Sequence, residues 1–222
     1  MNIRLEHISK RYKNKEVLRD IYIEAEAGTC VGILGGNGCG KSTLLSILAG
    51  IRKADKGRFL FDERDMFKDS KLHSKVIGYV PQGTPLVEEL SAKDNLSIFY
   101  SKDIMEEELR NGTLKLLGID EYLKVPVRKM SGGMKKRLSI GCAVASRPRV
   151  LLLDEPSAAL DLMCKQSIND YLRAYKRAGG IILLATHDEE ELMLCDKWYI
   201  LKNGVSREYD YDGNVKELIS NF

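Results

Sequence analysis

Gly35-Gly36-Asn37-Gly38-Cys39-Gly40-Lys41-Ser42-Thr43 follows the apolar run Cys30-Val31-Gly32-Ile33-Leu34 and precedes Leu44-Leu45-Ser46-Ile47-Leu48. The order reads strand, glycine loop, helix, and the loop fits G-x-x-x-x-G-K-[ST]. Glycines at those spacings let backbone N–H groups converge on a polyphosphate, and the first turn of the following helix adds unpaired N–H groups and the positive end of its dipole. In such a loop Lys41 reaches the β- and γ-phosphates and the Ser42 hydroxyl holds Mg²⁺. A merely flexible turn would not need an apolar strand on one side and an apolar helix on the other. The expected ligand is a nucleotide, held by residues 35–43.

The rest of the composition sets bounds around that loop. The 222 residues suffice for one sizeable core, with room for an inserted subdomain. Lys and Arg number 35 against 32 Asp and Glu, a formal charge of +3, too balanced to point to a nucleic-acid partner. No apolar run reaches the ~18 residues of a membrane-spanning helix, and the charged start Met1-Asn2-Ile3-Arg4-Leu5-Glu6 lacks a signal-peptide core. The five cysteines, Cys30, Cys39, Cys142, Cys164 and Cys195, are scattered and show no C-x-x-C spacing, which disfavours a disulfide framework or a zinc site. A soluble cytosolic protein with reduced thiols is expected.

Along the chain, Asn2–Ile8 and Leu18–Ala25 alternate apolar and polar residues and read as half-buried strands. A helix from Lys41 to Ala49 follows the loop; after turns at Gly50 and Gly57, Arg58–Phe61 reads as a short strand and Val76–Val80 as another, ending at Pro81. From about Thr84 to Ser146 the pattern becomes helical, with Leu109, Leu116 and Leu117 near a helical period. Glu106-Glu107-Glu108 is expected in an early helical turn, where the dipole favours acids, and Asn111-Gly112 weakens any single unbroken helix there. Val150–Leu153 and Ile181–Ala185 are continuous apolar runs of the kind found in parallel strands covered on both faces. Between them Ile168, Tyr171, Leu172 and Tyr175 recur at helical spacing before Gly179-Gly180, completing a βαβ unit. A last strand, Lys197–Leu201, turns at Asn203-Gly204, and the residues from there to Phe222 carry no chemical motif.

A second informative site is Leu151-Leu152-Leu153-Asp154-Glu155-Pro156, where a buried strand delivers two carboxylates at its C-terminal end, the edge at which open parallel sheets bind ligands. There Asp154 would hold Mg²⁺ opposite Ser42, as Walker-B aspartates do, and Glu155 would orient or deprotonate an attacking water. Standing alone, an Asp-Glu pair after a strand is an ordinary polar turn; the upstream glycine loop gives it meaning.

Together these motifs resemble the ATP-binding subunits of ABC transporters over essentially the whole chain. Tyr12 precedes the loop where that family places an aromatic that stacks on adenine. Gln82, in Gly78-Tyr79-Val80-Pro81-Gln82, is similar to the glutamine loop, and Ser131-Gly132-Gly133, in Met130-Ser131-Gly132-Gly133-Met134-Lys135-Lys136-Arg137, to the signature. Ser157-Ala158-Ala159-Leu160-Asp161 resembles the D-loop, and Thr186-His187-Asp188 the switch-histidine region. Six motifs in the right order are specific where any one is weak.

The resemblance implies a P-loop NTPase α/β fold: a mostly parallel sheet, an N-terminal antiparallel β subdomain and an inserted helical subdomain. Residues 1–222 form one nucleotide-binding domain, with an ATP-binding core at 1–83 and 147–222 and the helical subdomain at about 84–146. It implies ATP and Mg²⁺ as ligands, with Ser42, Gln82 and Asp154 at the metal and Lys41, Glu155 and His187 in hydrolysis. Ser131, Gly132, Gly133 and Asp161 would contact the ATP of a second nucleotide-binding subunit, identical or homologous, and a separate transmembrane permease would carry the substrate. The subunit would sit peripherally at the cytoplasmic face of the membrane, with no direct nucleic-acid contact. Met130 and Met134 depart from Leu-Ser-Gly-Gly-Gln, and Met134 resembles the ABC-2-type exporters. That departure puts in doubt the ribose contact a glutamine would make; methionine can instead supply adaptable packing. The competing readings are an importer ATPase, a low-turnover nucleotide sensor, which Glu155 and His187 argue against, and a non-transport ATPase acting on nucleic acid or ribosomes. The last usually carries a second nucleotide domain or a long coiled coil, and the interval from Lys41 to Ser131 is too short for a coiled coil.

Cys39 lies inside the loop itself, so a group attached to its sulfur would occupy space meant for phosphate. Alkylation of Cys39 is expected to abolish ATP binding in a fluorescent-nucleotide titration; unchanged binding after verified modification would refute the steric argument.

Overall fold

The computed structural model describes residues 1–214, Glu217 and Leu218; the reading of the segment up to Phe222 as free of motifs lies partly outside the described residues. One ten-stranded sheet runs through the molecule in the order β5-β4-β1-β2-β10-β9-β3-β8-β7-β6. Its parallel half is β9 (Lys197–Lys202), β3 (Cys30–Leu34), β8 (Ile181–Ala185), β7 (Val150–Asp154) and β6 (Ile77–Val80). The other half is built on antiparallel pairings of β1 (Asn2–Tyr12) with β2 (Lys15–Glu26) and β4 (Lys56–Phe61), and of β4 with β5 (Arg64–Asp65). The two halves meet where β10 (Val205–Tyr209) pairs antiparallel with β9 and parallel with β2. This is the P-loop α/β architecture expected from the sequence.

Every residue of β3, β7 and β8 is buried. Successive side chains of a strand point to opposite faces, so each such strand feeds two cores. Leu151, Leu153, Ile182 and Leu184 enter one, with α7 (Leu162–Arg177) and the helices between Ala92 and Ala143. Val150, Leu152, Ile181 and Leu183 enter the other, with α1 (Lys41–Leu48) and the inner face of β1 and β2. At about 1.5–3 kcal/mol for each fully buried aliphatic side chain, this double covering fixes the central strands firmly. Their carboxyl ends are where the motif-bearing loops begin.

Several local readings change. β1 and β2 run longer than Asn2–Ile8 and Leu18–Ala25 because the β1–β2 register shifts between Leu5 and Ile8 and again before Lys10, with His7 at φ 52°. A bulge breaks the two-residue period on which the reading relied. Val76 is not in a strand; it closes α2 (Ser70–Val76), a helix the sequence did not suggest, capped by Asp69 accepting from the Leu72 N–H. Glu106-Glu107-Glu108 is not in an early turn: α4 (Lys102–Asn111) begins four residues before Glu106, and Asp103 is the acid in its first turn. The break at Gly112 is real, separating α4 from α5 (Thr113–Leu116). α3 (Ala92–Ser97) carries a capping box between Ser91 and Asp94, and Ser131 caps α6 (Gly132–Ala143). A short α8 (Glu189–Leu192) follows His187.

Candidate functional site

The loop between β3 and α1 is shaped by glycine. Gly35 has φ 145° and a Cβ there would lie 2.4 Å from the Leu201 carbonyl oxygen; Gly40, at φ 117°, opens α1 in the left-handed region. Neither position accepts a side chain without strain. The cleft in front of the loop, about 520 Å³, is lined by Tyr12, Val17, Asn37, Gly38, Gly40, Lys41, Ser42, Thr43, Gln82 and Glu155. Gly35, Gly36 and Cys39 complete the loop behind that lining.

Lys41 is only 6% exposed. Its ammonium donates to the Gly35 carbonyl at 2.6 Å and to that of Gly36 at 3.4 Å, and lies 3.1 Å from His187 Nε2. An ammonium has no acceptor, so Nε2 is the unprotonated nitrogen of a neutral imidazole. Burial first, then the Lys41 charge, lowers the His187 pKa from its usual value of 6.5; Glu155, 3.9 Å away, pulls the other way.

The two carboxylates after β7 have different surroundings. Asp154 is 3% exposed and accepts from the Ser42 hydroxyl; burial raises its pKa, countered by that bond and by Lys41 and Lys136. Glu155 turns away at φ 48°, left-handed for a residue with a Cβ, while its N–H is held by the Ala185 carbonyl at 2.8 Å. Such a conformation costs on the order of 1–3 kcal/mol and persists where surrounding contacts impose it. It directs the side chain to Gln82, whose Nε2 donates to Glu155 Oε2 at 2.9 Å. Ser42, Asp154 and the amide oxygen of Gln82 are hard oxygen donors, the chemistry Mg²⁺ prefers when phosphate and water fill its other positions. The described residues hold no cluster of three His, Cys, Asp or Glu suited to a metal.

One chain therefore gathers Lys41, Ser42, Gln82, Asp154, Glu155 and His187. Ser131, Gly132, Gly133 and Asp161 do not line this cleft. The Ser131 hydroxyl accepts from the Met134 N–H at 3.2 Å, and Asp161 caps α7 through the Cys164 N–H at 2.9 Å. Met134 packs against the helical core, as a methionine filling space should.

Three features escaped the sequence reading. Lys10 and Arg52 lie 5.5 and 5.6 Å from the centroid of the Tyr12 ring, and Arg52 also donates to its hydroxyl at 3.1 Å. Glu191, buried, accepts from the Thr186 hydroxyl beside His187. Lys136 is buried on α6. Of these only Lys136 left a signal: with Gly133 and Ile140 at i−3 and i+4 it falls on the packed face of the helix.

The sequence model of a family described as ABC transporter matches residues 18–158. The chain is 35% identical to a spermidine/putrescine import ATP-binding protein of Spiroplasma citri, over 93% of this chain and 60% of that protein. It is also 35% identical to a probable sulfate/thiosulfate import ATP-binding protein of Chlorella vulgaris, over 92% of this chain and 89% of the relative. A Nod factor export ATP-binding protein of Sinorhizobium fredii is 34% identical over 91% of this chain and 60% of its own length. The chain thus spans about 60% of the length of several of its curated relatives. Among solved structures, the ATP-binding cassette MJ0796, dimeric and bound to ADP and Pi, superimposes with a TM-score of 0.81 at 25% identity, covering 94% of this chain and 98% of that one. The relatives' names divide between import and export, so the expectation of an ABC-2-type exporter drawn from Met134 finds no support in them.

Removing the Lys41 charge should raise the His187 pKa, since that ammonium opposes imidazolium formation. In ¹H–¹⁵N spectra of the imidazoles, with His187 assigned through His187→Gln, wild-type His187 is expected to titrate below its usual 6.5 and Lys41→Met to move the midpoint upward. A depressed pKa contributes stability above the unfolded value that is lost as pH falls through the folded one, so this contribution disappears on acidification below that range. A downward or absent shift in Lys41→Met would contradict the assigned contact.

Proposed function

The chain belongs to the ABC transporter ATP-binding family, a family of ATPases, and from that premise we propose that it binds and hydrolyses ATP to energise a separate membrane permease. Residues 1–222 act as one nucleotide-binding domain, with the helices at about 84–146 carrying the signature. The observation that carries the reading is the run of contacts that joins Lys41, His187, Glu155 and Gln82, with Ser42 on Asp154, around a cleft that Lys41, Ser42, Gln82 and Glu155 line.

Triphosphate entering the cleft meets the N–H groups of the loop and the first turn of α1. Lys41 exchanges the Gly35 and Gly36 carbonyls for β- and γ-phosphate oxygens, a gain in charge complementarity. Tyr12 offers its ring to the base. Ser42 and Asp154, with Gln82 beside them, would hold Mg²⁺, which would supply charge neutralisation at the phosphates. Glu155 aligns the attacking water and accepts its proton, while Gln82 holds that carboxylate in place. His187, released from Lys41, faces the γ-phosphate. Most of this is positioning and electrostatic stabilisation, which phosphoryl transfer chiefly requires.

Completion of the site needs Ser131, Gly132, Gly133 and Asp161 from a second nucleotide-binding subunit, identical or homologous; the dimeric state of the related cassette supports that arrangement. Among the described residues no helix is long and apolar enough to cross a membrane; in this reading the permease is a partner, reached at the cytoplasmic face. Nucleic acid has no place in this reading. Import is the direction named for relatives sharing 35% of residues and export for one sharing 34%. Reconstituting the chain with its copurifying permease in vesicles decides direction by the side on which substrate accumulates.

Glu155→Gln is expected to bind ATP with near wild-type affinity, to lose about 100-fold or more in turnover, the lower end of what a general base supplies, and to elute as an ATP-dependent dimer. Lys41→Ala should weaken ATP binding about 10- to 100-fold, matching one lost charge-assisted contact. Wild-type turnover in Glu155→Gln would reject the assigned base.

A further inference from the structure

Lys136 is the fifth residue of α6 and only 4% exposed. Its ammonium donates to the carbonyl oxygens of Pro81 and Gln82, both at 2.9 Å. Among the described residues it forms no ion pair, although Asp154, Glu155 and Glu191 all contribute to its field. Burial lowers its pKa from the usual 10.5 and those three carboxylates oppose the shift. A lysine buried to this degree is costly, and an apolar side chain of similar length would carry no such penalty. What the lysine gains is a grip on the segment leaving β6.

That segment carries Gln82, whose side chain holds Glu155 Oε2 at 2.9 Å. We propose that Lys136 is a positioning residue: it fastens the Gln82 segment to the helix headed by Ser131, so that the Gln82–Glu155 pair keeps its geometry relative to α6. Two charge-assisted bonds from one ammonium to consecutive carbonyls leave the segment little freedom to slide. Displacement of α6 when a neighbouring subunit engages Ser131 is then transmitted, through two hydrogen-bonded steps, to the carboxylate that aligns water. The inference rests on the ATPase reading above and adds to it a residue that touches neither nucleotide nor water.

The test uses the purified full chain with Lys136→Met, Lys136→Arg, Gln82→Ala and the double variant Lys136→Met/Gln82→Ala. ATP affinity, kcat and KM are measured, together with hydrogen–deuterium exchange of the peptide containing residues 81–83. Lys136→Met is expected to lower kcat about tenfold or more, to leave ATP affinity within about threefold and to speed exchange in that peptide. Lys136→Arg, which keeps charge and donors, should recover kcat to within about threefold, and Lys136→Met should cost nothing further once Gln82 is alanine. Wild-type kcat in Lys136→Met, failure of arginine to rescue, or additive losses in the double variant would each overturn the proposal. If Lys136→Met does not melt cooperatively, Lys136→Gln replaces it: reduced kcat with retained ATP affinity supports the inference, and unchanged kcat refutes it. A wild-type chain that binds ATP without turnover defeats the ATPase reading instead. The exchange measurement then judges Lys136 separately, faster exchange in Lys136→Met alone supporting it and equal exchange in all variants refuting it.

Discussion

An ammonium group beside the N-terminus of a helix sits at the wrong end of the helix dipole, and Lys41, the first residue of α1, is buried there. It is held by the backbone carbonyls of its own loop and by a neutral imidazole, partners that compensate a positive charge only in part. The loop N–H groups, the helix terminus and Lys41 all favour negative charge, and Ser42 and Asp154 flank the same space. The rest of the molecule can be understood as the scaffold that holds this electropositive cradle open. A polyanion relieves the mismatch without rearranging the backbone, the condition for tight binding by a preorganised site.

That scaffold is the set of central strands. β3, β7 and β8 are apolar on both faces, so their positions are fixed by two cores at once and their carboxyl ends become rigid mounts. From β3 comes the glycine loop, from β7 Asp154 and Glu155, from β8 Thr186 and His187, and from β6 the segment carrying Gln82. Burial on both sides also explains how Glu155 can be kept at φ 48°: the N–H held by Ala185 ties the strained residue to the neighbouring strand, and the cost is borne by the packing beneath. The second carboxylate meets Gln82 while the first accepts from Ser42, giving two adjacent acids two environments.

What was legible in the sequence follows from the same physics. The glycine loop, the apolar strands and the residues at their ends could be read because each carries a short-range pattern, glycine spacing or continuous hydrophobicity, set by local geometry. The bulge at His7 could not, because it is defined by pairing with β2, a partner the linear pattern does not contain. Val76 reads as strand by composition, yet it ends α2, whose start is set by the Asp69 cap seven residues before it. Glu106 to Glu108 invited a dipole argument that failed because α4 starts earlier, at Lys102. Lys136 and Arg52 belong to the site by contacts across more than 30 positions of chain, with Gln82 and Tyr12. No local pattern encodes such contacts.

The signature segment shows how a structural and a functional reading of one residue can coexist. Ser131 Oγ accepts the Met134 N–H and so satisfies one orphan donor of α6, which is the role a serine there would have in any protein. A hydroxyl has two acceptor lone pairs and one proton, and the cap uses a single lone pair. The cap therefore orients the O–H group without consuming it, leaving the proton to meet an anion from outside the chain. The two glycines divide in the same way. A Cβ on Gly133 would fall 2.2 Å from Cys164 Sγ, so its absence is demanded by the packing of α6 on α7, whereas Gly132 would meet only Leu160, at 3.8 Å. Gly133 is thus explained within one chain, and the openness around Gly132 leaves its backbone N–H approachable. In this segment the packing of the single subunit and the demands of the proposed shared phosphate site fall on neighbouring atoms rather than on competing ones.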